Sequence, residues 1–518
     1  MSDASPNQFT LPATLPVEDL LAALQARCGL AGTGRTRHRH QYLDTWDWRL
    51  YRKGRLLAAE PAPDGLRLSL CPNDAGAPCL HQLTTDLPRY ASDLGPTALG
   101  RAVQALARIR ALLPRLSVDA TVHRFERRDA EGKLLVSVSV EERTIQPAGG
   151  GRGHRPPVRV RLGALRGYEA AADRVRDCLT GTLALPPLAR TLDAETLAAL
   201  GLDPGLHPPG GPVRLDPAMA AHTAVRRVLA GQLAVLRFNE PGVREDIDSE
   251  CLHDFRIGVR RSRSVLALMK RHLPRRTGRH LRTELAWLGS VTSPLRDLDV
   301  HLLSFSGYTG LLPPGQATHL AALQHYLQHR RRAAWQELRA HLDSPRYARL
   351  LQAWAAFAEA SAPPDLPEAA DEPVGPAAGR RIWQLYRLAR REGLAITEAS
   401  PDTDLHELRK TCKKLRYMLE LFASLFAAGQ VARLRRPLKS LQDNLGEFQD
   451  LCVHAQALAE FAEDMHRERR ADAATLLAMG ALIQALEARK REVRAGFQHQ
   501  FRAFAARRFR RAFRELAG

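Results

Sequence analysis

Apolar and polar positions follow two rhythms along this chain, and the change falls near residue 200. Before it, short runs alternate. Leu66 to Leu70, the β-branched start of Thr121 to Phe125, the Leu-Leu-Val-Ser-Val-Ser-Val of Leu134 to Val140 and the Val-Arg-Val-Arg-Leu of Val158 to Leu162 read as strands, the last with one wet face. Helical spacing lies between them at Pro16–Arg27, Ala98–Leu113 and Ala170–Leu179, and the clearest Pro/Gly break is Ile145–Pro157. The polar stretch Arg35-Thr-Arg-His-Arg-His40 reads as an exposed loop. Residues 1–200 are thus expected to be α+β, built on an antiparallel sheet.

Beyond the break Gly201-Leu-Asp-Pro-Gly-Leu-His-Pro-Pro-Gly-Gly-Pro212, helical periodicity takes over and strand signals nearly vanish. The break predicts a linker over 201–214 and a helical domain over 215–518. A Pro/Ala/acid-rich stretch from Ser361 to Gly379 divides that domain into halves at 215–362 and 372–518. With 518 residues the chain is long enough for two to four domains, and 45% hydrophobic residues exclude a disordered chain. No apolar stretch approaches the roughly 18–20 residues needed to cross a bilayer. The first residues lack a basic region followed by an apolar run, so a cytoplasmic location is expected. Seven cysteines, scattered and odd in number without a CxxC pair, predict small buried side chains rather than zinc sites or disulfides.

Charge changes the picture. The chain carries 76 basic against 56 acidic residues, a net +20. Such a field calls for a polyanionic partner: nucleic acid, an anionic membrane or polyphosphate. Only 8 of the basic residues are Lys, which a GC-rich genome explains better than phosphate recognition does. Position says more than ratio. Residues 1–200 hold 27 basic and 21 acidic residues (+6), and residues 201–518 hold 49 and 35 (+14).

Much of that excess sits in an internal repeat. His253-Asp-Phe-Arg256-Ile-Gly-Val-Arg260-Arg261-Ser-Arg263 recurs 153 residues later as His406-Glu-Leu-Arg409-Lys410-Thr-Cys-Lys413-Lys414-Leu-Arg416-Tyr417. Asp297 and Asp450 each follow their histidine by 44 residues, and Leu288/Leu441 and Val300/Val453 also align. On a helix, positions i, i+3, i+7 and i+10 fall within about 80°. His253, Arg256, Arg260 and Arg263 therefore form one cationic rail, and His406, Arg409, Lys413 and Arg416 another, each about 15 Å long. Leu408, Cys412, Leu415, Leu419 and Phe422 occupy the side that packs into a bundle. Two such rails could line one groove.

A basic helix face is usually only a solvated surface. Here acidic partners at i,i+4 are scarce, and the like charges are duplicated in register, so a bound polyanion that releases counterions is the better account. Metal ligation by His253 or His406 is not expected among so many Arg and Lys side chains. Asp297 and Asp450 are expected to orient an Arg or a His, with helix capping in a turn as the rival. Near the end of the chain, Arg489-Lys-Arg-Glu-Val-Arg494 and the stripe Phe497, Phe501, Phe504, Phe509 predict a packed bundle helix rather than a membrane-surface helix.

These motifs resemble the CHAD family, the conserved-histidine α-helical domain, over about residues 215–518. The resemblance implies a duplicated pair of four-helix bundles, each with a later Arg/Asn-Asp turn, that binds inorganic polyphosphate without catalysis. The implied binding residues are His253, Arg256, Arg260, Arg261, Arg263, Arg296, His406, Arg409, Lys410, Lys413, Lys414, Arg416 and Lys439. Asp297, Asp450 and Tyr417 are implied as orienting residues, and Leu445-Gly446 also match. Gln449 stands where the family often has Asn or Arg.

Residues 1–200 resemble a CYTH domain, a triphosphate-tunnel fold with an antiparallel β-barrel. The resemblance rests on Gln41-Tyr-Leu-Asp-Thr-Trp-Asp-Trp-Arg-Leu-Tyr-Arg-Lys-Gly54, on Phe9-Thr-Leu-Pro12 and on Leu165-Arg-Gly-Tyr168. The family's Glu-x-Glu-x-Lys is absent, Asn7-Gln-Phe-Thr-Leu standing in its place, and Val138-Ser-Val-Glu141-Glu142 keeps acid at one edge only. Triphosphate hydrolysis needs metal ions held by several inward carboxylates, besides cations on the phosphates. The strands offer Arg67, His123, Arg124, Arg127, Arg159 and Arg161 but few acids, so the tunnel is expected to be degenerate.

The expected function is non-enzymatic polyphosphate binding, with no cofactor, no metal and no membrane partner. Polyphosphate granules are a natural address for such a protein. A triphosphate or polyphosphate hydrolase acting in residues 1–200 is the alternative. Nucleic-acid binding is third, because the rails lack interleaved aromatics for base stacking.

Overall fold

The computed structural model divides into two compact units, Met1–His207 and Pro208–Gly518. It describes residues 7–74, 78–165, 167–204, 213–359 and 365–517.

The first unit is built on eight strands: β1 (Gln8–Thr10), β2 (Ala31–Asp44), β3 (Arg55–Ala62), β4 (Gly65–Pro72), β5 (Leu80–Thr84), β6 (Leu113–Arg128), β7 (Leu134–Pro147) and β8 (Arg159–Ala164). They form one sheet in the order β1-β8-β7-β6-β2-β3-β4-β5, every pairing antiparallel. Alternation sorts the side chains by face. Val136, Val138, Val140, Val160 and Leu162 enter a core with Leu20, Leu24 and Val175 from helices Val17–Ala26 and Glu169–Asp177. A second core joins Leu57 and Leu68 to Leu99 and Val103 of helix Ala98–Ala107. Ser139, Glu141, Arg159 and Arg161 take the other face, which surrounds a cavity of about 730 Å³. The wet face read from the Val-Arg-Val-Arg alternation is therefore a cavity wall.

Three expectations for this unit are corrected. Arg35 to His40 is no loop but the middle of β2, paired with β6 from Arg35↔His123 to His40↔Val118. It lacks an apolar rhythm because most of its length is solvated or faces the cavity. The helix expected to reach Leu113 stops at Ala107, where Arg108 turns left-handed (φ 58°). Finally, four cysteines are paired, as Cys28–Cys178 and Cys71–Cys79. The fold brings together residues 150 apart in sequence, which spacing does not reveal. The odd count misled because Cys251, Cys412 and Cys452 are free thiols of the other unit.

The second unit is helical. Its main elements are α1 (Ala221–Arg244), α2 (Ser249–Leu268), α3 (Arg275–Val291), α4 (Ser293–Leu303), α5 (Ala321–Leu342), α6 (Pro345–Glu359), α7 (Val374–Ala395), α8 (Asp402–Leu421), α9 (Ala428–Arg467), α10 (Ala473–Ala495), α11 (Phe497–Ala505) and α12 (Arg507–Glu515). The repeat is visible in the backbone: α1 and α7, α2 and α8, and α3 and α9 each begin 153 residues apart. The halves differ where α3 and α4 meet. Pro294 lacks an N–H and suits the start of a helix, so it opens α4, whereas α9 runs on unbroken through the corresponding Glu447.

The halves share a core. Leu298, Phe305, Tyr308, Leu320, Leu323 and Leu327 of the first pack with Ala455, Leu458, Met465, Met479, Leu482 and Leu486 of the second. Of the expected Phe stripe, Phe497, Phe501 and Phe504 are buried and Phe509 is half-buried, but the single helix expected there is broken at Ala506 into α11 and α12, and Phe513 is buried as well. Among the described residues, no helix is long and apolar enough to cross a membrane.

Candidate functional site

The two rail helices, α2 and α8, meet at the junction of the repeats. With α3 they enclose a groove of about 650 Å³. Arg260, Arg263, Arg282, Lys410, Lys413, Lys414 and Tyr417 line it, over a floor of Ser264, Ala267, Leu268, Thr283 and Ala286. The lining contains six cations and no carboxylate.

The cations named from the sequence divide by whether the fold already uses them. Arg256 is spent within its own half: Nη1 donates to the Gly289 carbonyl (3.0 Å) and Thr292 Oγ1 (2.6 Å), and Nη2 to Ser293 Oγ (3.1 Å). Burial, then neighbouring cations against the pull of Asp297, brings its guanidinium down to about 10. Arg296 donates to the Ser249 carbonyl at 3.2 Å. Arg261 reaches across to Glu420 of α8 at 2.8 Å, and the same carboxylate faces Arg416 Nε at 3.7 Å and Arg435 Nη2 at 4.0 Å. Arg409 donates to Asp450 Oδ1 at 3.3 Å, Lys410 to Glu407 at 2.8 Å, and the exposed Lys439 pairs with Asp443. Spacing of i,i+4 does supply two of these acids, Glu420 for Arg416 and Asp443 for Lys439, while Arg261 and Arg409 take theirs from other helices.

Arg260, Arg263, Arg282, Lys413 and Lys414 make no hydrogen bond or ion pair with the described residues. These five are the groove's available cations. Arg263 spreads over Gly289, where an added Cβ would fall 2.9 Å from its Nη1. Lys413 lies deep among cations. Burial first, and then Arg409, Arg260 and Arg416, bring its ammonium down to about 8, against the pull of Asp450.

His406 donates from Nδ1 to Gln449 Oε1 at 2.6 Å, because an amide oxygen can only accept. His253 is half-buried, and neither histidine lines the groove. Asp297 and Asp450 lie inside α4 and α9 rather than in turns, so the capping alternative and the turn implied by the resemblance both give way. Asp450 accepts from Arg409, and Asp297 stands within electrostatic reach of Arg256 and Arg296. Arg416 lies over the buried Tyr417 ring, 5.4 Å from its centroid. Arg282, Glu420 and Arg435 were missed in the sequence. Arg282 and Arg435 stand 153 residues apart, so the repeat offset itself could have found them.

In the first unit, Arg37, Arg39, Arg67, Arg124, Arg159 and Arg161 line the cavity with His38, His40 and His81. His123 and Arg127, named with them from the sequence, do not. Four carboxylates also line it: Glu60, Asp74, Glu126 and Glu141, three of which the sequence reading passed over. Arg159 donates to Glu141 at 2.6 Å. Burial works against charge on Glu141, but Arg159, Arg143 and Arg161 hold its carboxyl below the usual range. Glu126 pairs with Arg128, and Asp74 faces Arg190 at 3.9 Å. Glu142 is turned to His123 instead of the cavity. Among the described residues, no three His, Cys, Asp or Glu side chains form a group able to hold a metal ion.

A basic groove between two repeated helical halves defines the class, and sequence comparison adds a matching domain model. Residues 227–459, within the helical unit, match the CHAD domain model. No curated protein matches the chain. Among solved structures, a CHAD domain from the plant Ricinus communis shares 27% identity over 56% of this chain and 95% of its own, with a TM-score of 0.46. PptA from Streptomyces chartreusis shares 21% identity over 55% of this chain and 99% of its own, at a TM-score of 0.41. A Bacillus halodurans protein provisionally described as an adenylate cyclase shares 12% identity over 36% of this chain and 93% of its own, at 0.25.

Proposed function

We propose that the helical unit binds inorganic polyphosphate in the groove between its repeats, without catalysis. One observation carries the reading: six cations and no carboxylate line the groove, and the side chains of five of those cations make no hydrogen bond or ion pair with the described residues. Uncompensated like charge raises the free energy of the unliganded protein, and a linear polyanion relieves it while releasing counterions. Polyphosphate has no base edge to be read, so an unbranched row of Arg and Lys suffices. Competition tests the choice of anion. Long polyphosphate should displace RNA and duplex DNA at equal phosphate concentration, and the reverse would make nucleic acid the partner.

The first unit is proposed as an anion-gripping cavity and not a hydrolase, because three of its four lining carboxylates, Glu141, Glu126 and Asp74, each face an arginine. Phosphate release from tripolyphosphate with Mg²⁺ or Mn²⁺ is the check. Robust turnover abolished by Glu141→Gln would establish the alternative enzyme. Location follows the thiols. Paired cysteines fit an oxidising compartment, whereas free thiols throughout would fit the cytoplasm and its polyphosphate granules.

A further inference from the structure

Arg260 and Lys413 occupy the same position of the two repeats, 153 residues apart, and both line the groove. Arg260 stays charged at any physiological pH, but a lysine can lose its proton and become a nucleophile. Every other member of the second rail is engaged: His406 with Gln449, Arg409 with Asp450, Arg416 with Glu420. Lys413 alone among them has no hydrogen bond or ion pair with the described residues, and the groove opens beside its amine. Arg263 and Arg282 stand in the same lining, also unpaired, where they can hold a phosphate group.

We infer that Lys413 is a site of covalent acylation by small acyl phosphates, whose phosphate is held by the groove's arginines while the lysine attacks the adjoining carbonyl. The inference rests on the groove being an anion site, the reading proposed above. The neutral Nζ forms a C–N bond to the carbonyl carbon and the C–O bond to phosphate breaks. Inorganic phosphate leaves with the electron pair and takes up the proton lost from nitrogen, so no oxidant or further reactant is needed. Burial and the cations around Lys413 favour the neutral amine that the attack requires. Acylation removes one positive charge and its donors from the lining, so it weakens the hold on any polyanion.

The full-length protein is treated with acetyl phosphate, and each lysine's acetylation rate is followed by mass spectrometry. Lys413 should react about tenfold faster than the exposed Lys53 and Lys439, given how far it stands below an ordinary lysine. Millimolar inorganic phosphate should slow Lys413 alone. Arg282→Gln should do the same and leave Lys53 unchanged. Acetic anhydride, which brings no phosphate, should prefer Lys413 less strongly than acetyl phosphate does. A Lys413 rate no greater than that of Lys53 overturns the inference, as does an equal preference with both reagents. Long polyphosphate forms a separate arm: protection of Lys413 by phosphate but not by polyphosphate would keep the acylation site and sink the polyphosphate reading.

Discussion

At the scale of single residues, the groove's pH response belongs to Lys413. Its folded-state value is lowered, so its charge is lost as pH rises through about 8, while the arginines beside it stay charged. Polyphosphate affinity should therefore fall severalfold between pH 7 and pH 9, as read by titration calorimetry at constant ionic strength. Lys413→Arg should flatten that fall. Glu420 makes a second case. Three arginines share its carboxylate, so Glu420→Gln should free Arg261, Arg416 and Arg435 for anions and tighten polyphosphate binding. The same change should lower stability by about 1–2 kcal/mol, because three cations lose their partner. A variant that binds no better would show that Glu420 does not compete with ligand. The sequence placed Arg260, Arg263 and Lys413 on the rails but could not separate them from Arg256 or Arg409. Helical spacing fixes a face, whereas the partners that occupy Arg256 and Arg409 come from α3, α4 and α9.

Elements were legible where one local rhythm decided them. The repeat in α2 and α8 follows from 3.6-residue periodicity plus an offset. β7 and β8 follow from strict alternation. β2 was not legible because its polar residues face a cavity that only its neighbours complete. The helix–helix contacts inside each half leave little room at certain glycines. A Cβ on Gly393 of α7 would collide with the ring of Phe501 on α11. Gly393→Ala should lower the thermal midpoint by several degrees, a cost of about 1–3 kcal/mol from overpacking. Gly480→Ala, at a helical position with open space around it, should not lower it. Equal midpoints for the two variants would refute the packing described for α7 and α11.

At the scale of the whole molecule, two properties escape local reading. Cys28 and Cys178 meet across 150 residues of sequence and Cys71 and Cys79 across 8, so thiol titration of denatured, unreduced protein should find three reactive cysteines of seven. Seven would contradict both bonds. The other property is charge: a net +14 over residues 201–518 attracts any polyanion diffusely, and the groove adds a defined set of contacts. The two contributions separate in one measurement. Long polyphosphate is titrated over a series of salt concentrations into the intact protein and into two variants of equal net charge. One variant carries Gln at Arg260, Arg263, Arg282 and Lys413. The other carries Gln at the exposed Arg276, Arg332, Arg469 and Arg502, outside the groove lining. The groove variant should lose affinity about tenfold or more, and its salt slope should shallow by roughly 3, while the surface variant changes little. Equal losses in both variants would contradict the groove and leave only diffuse attraction.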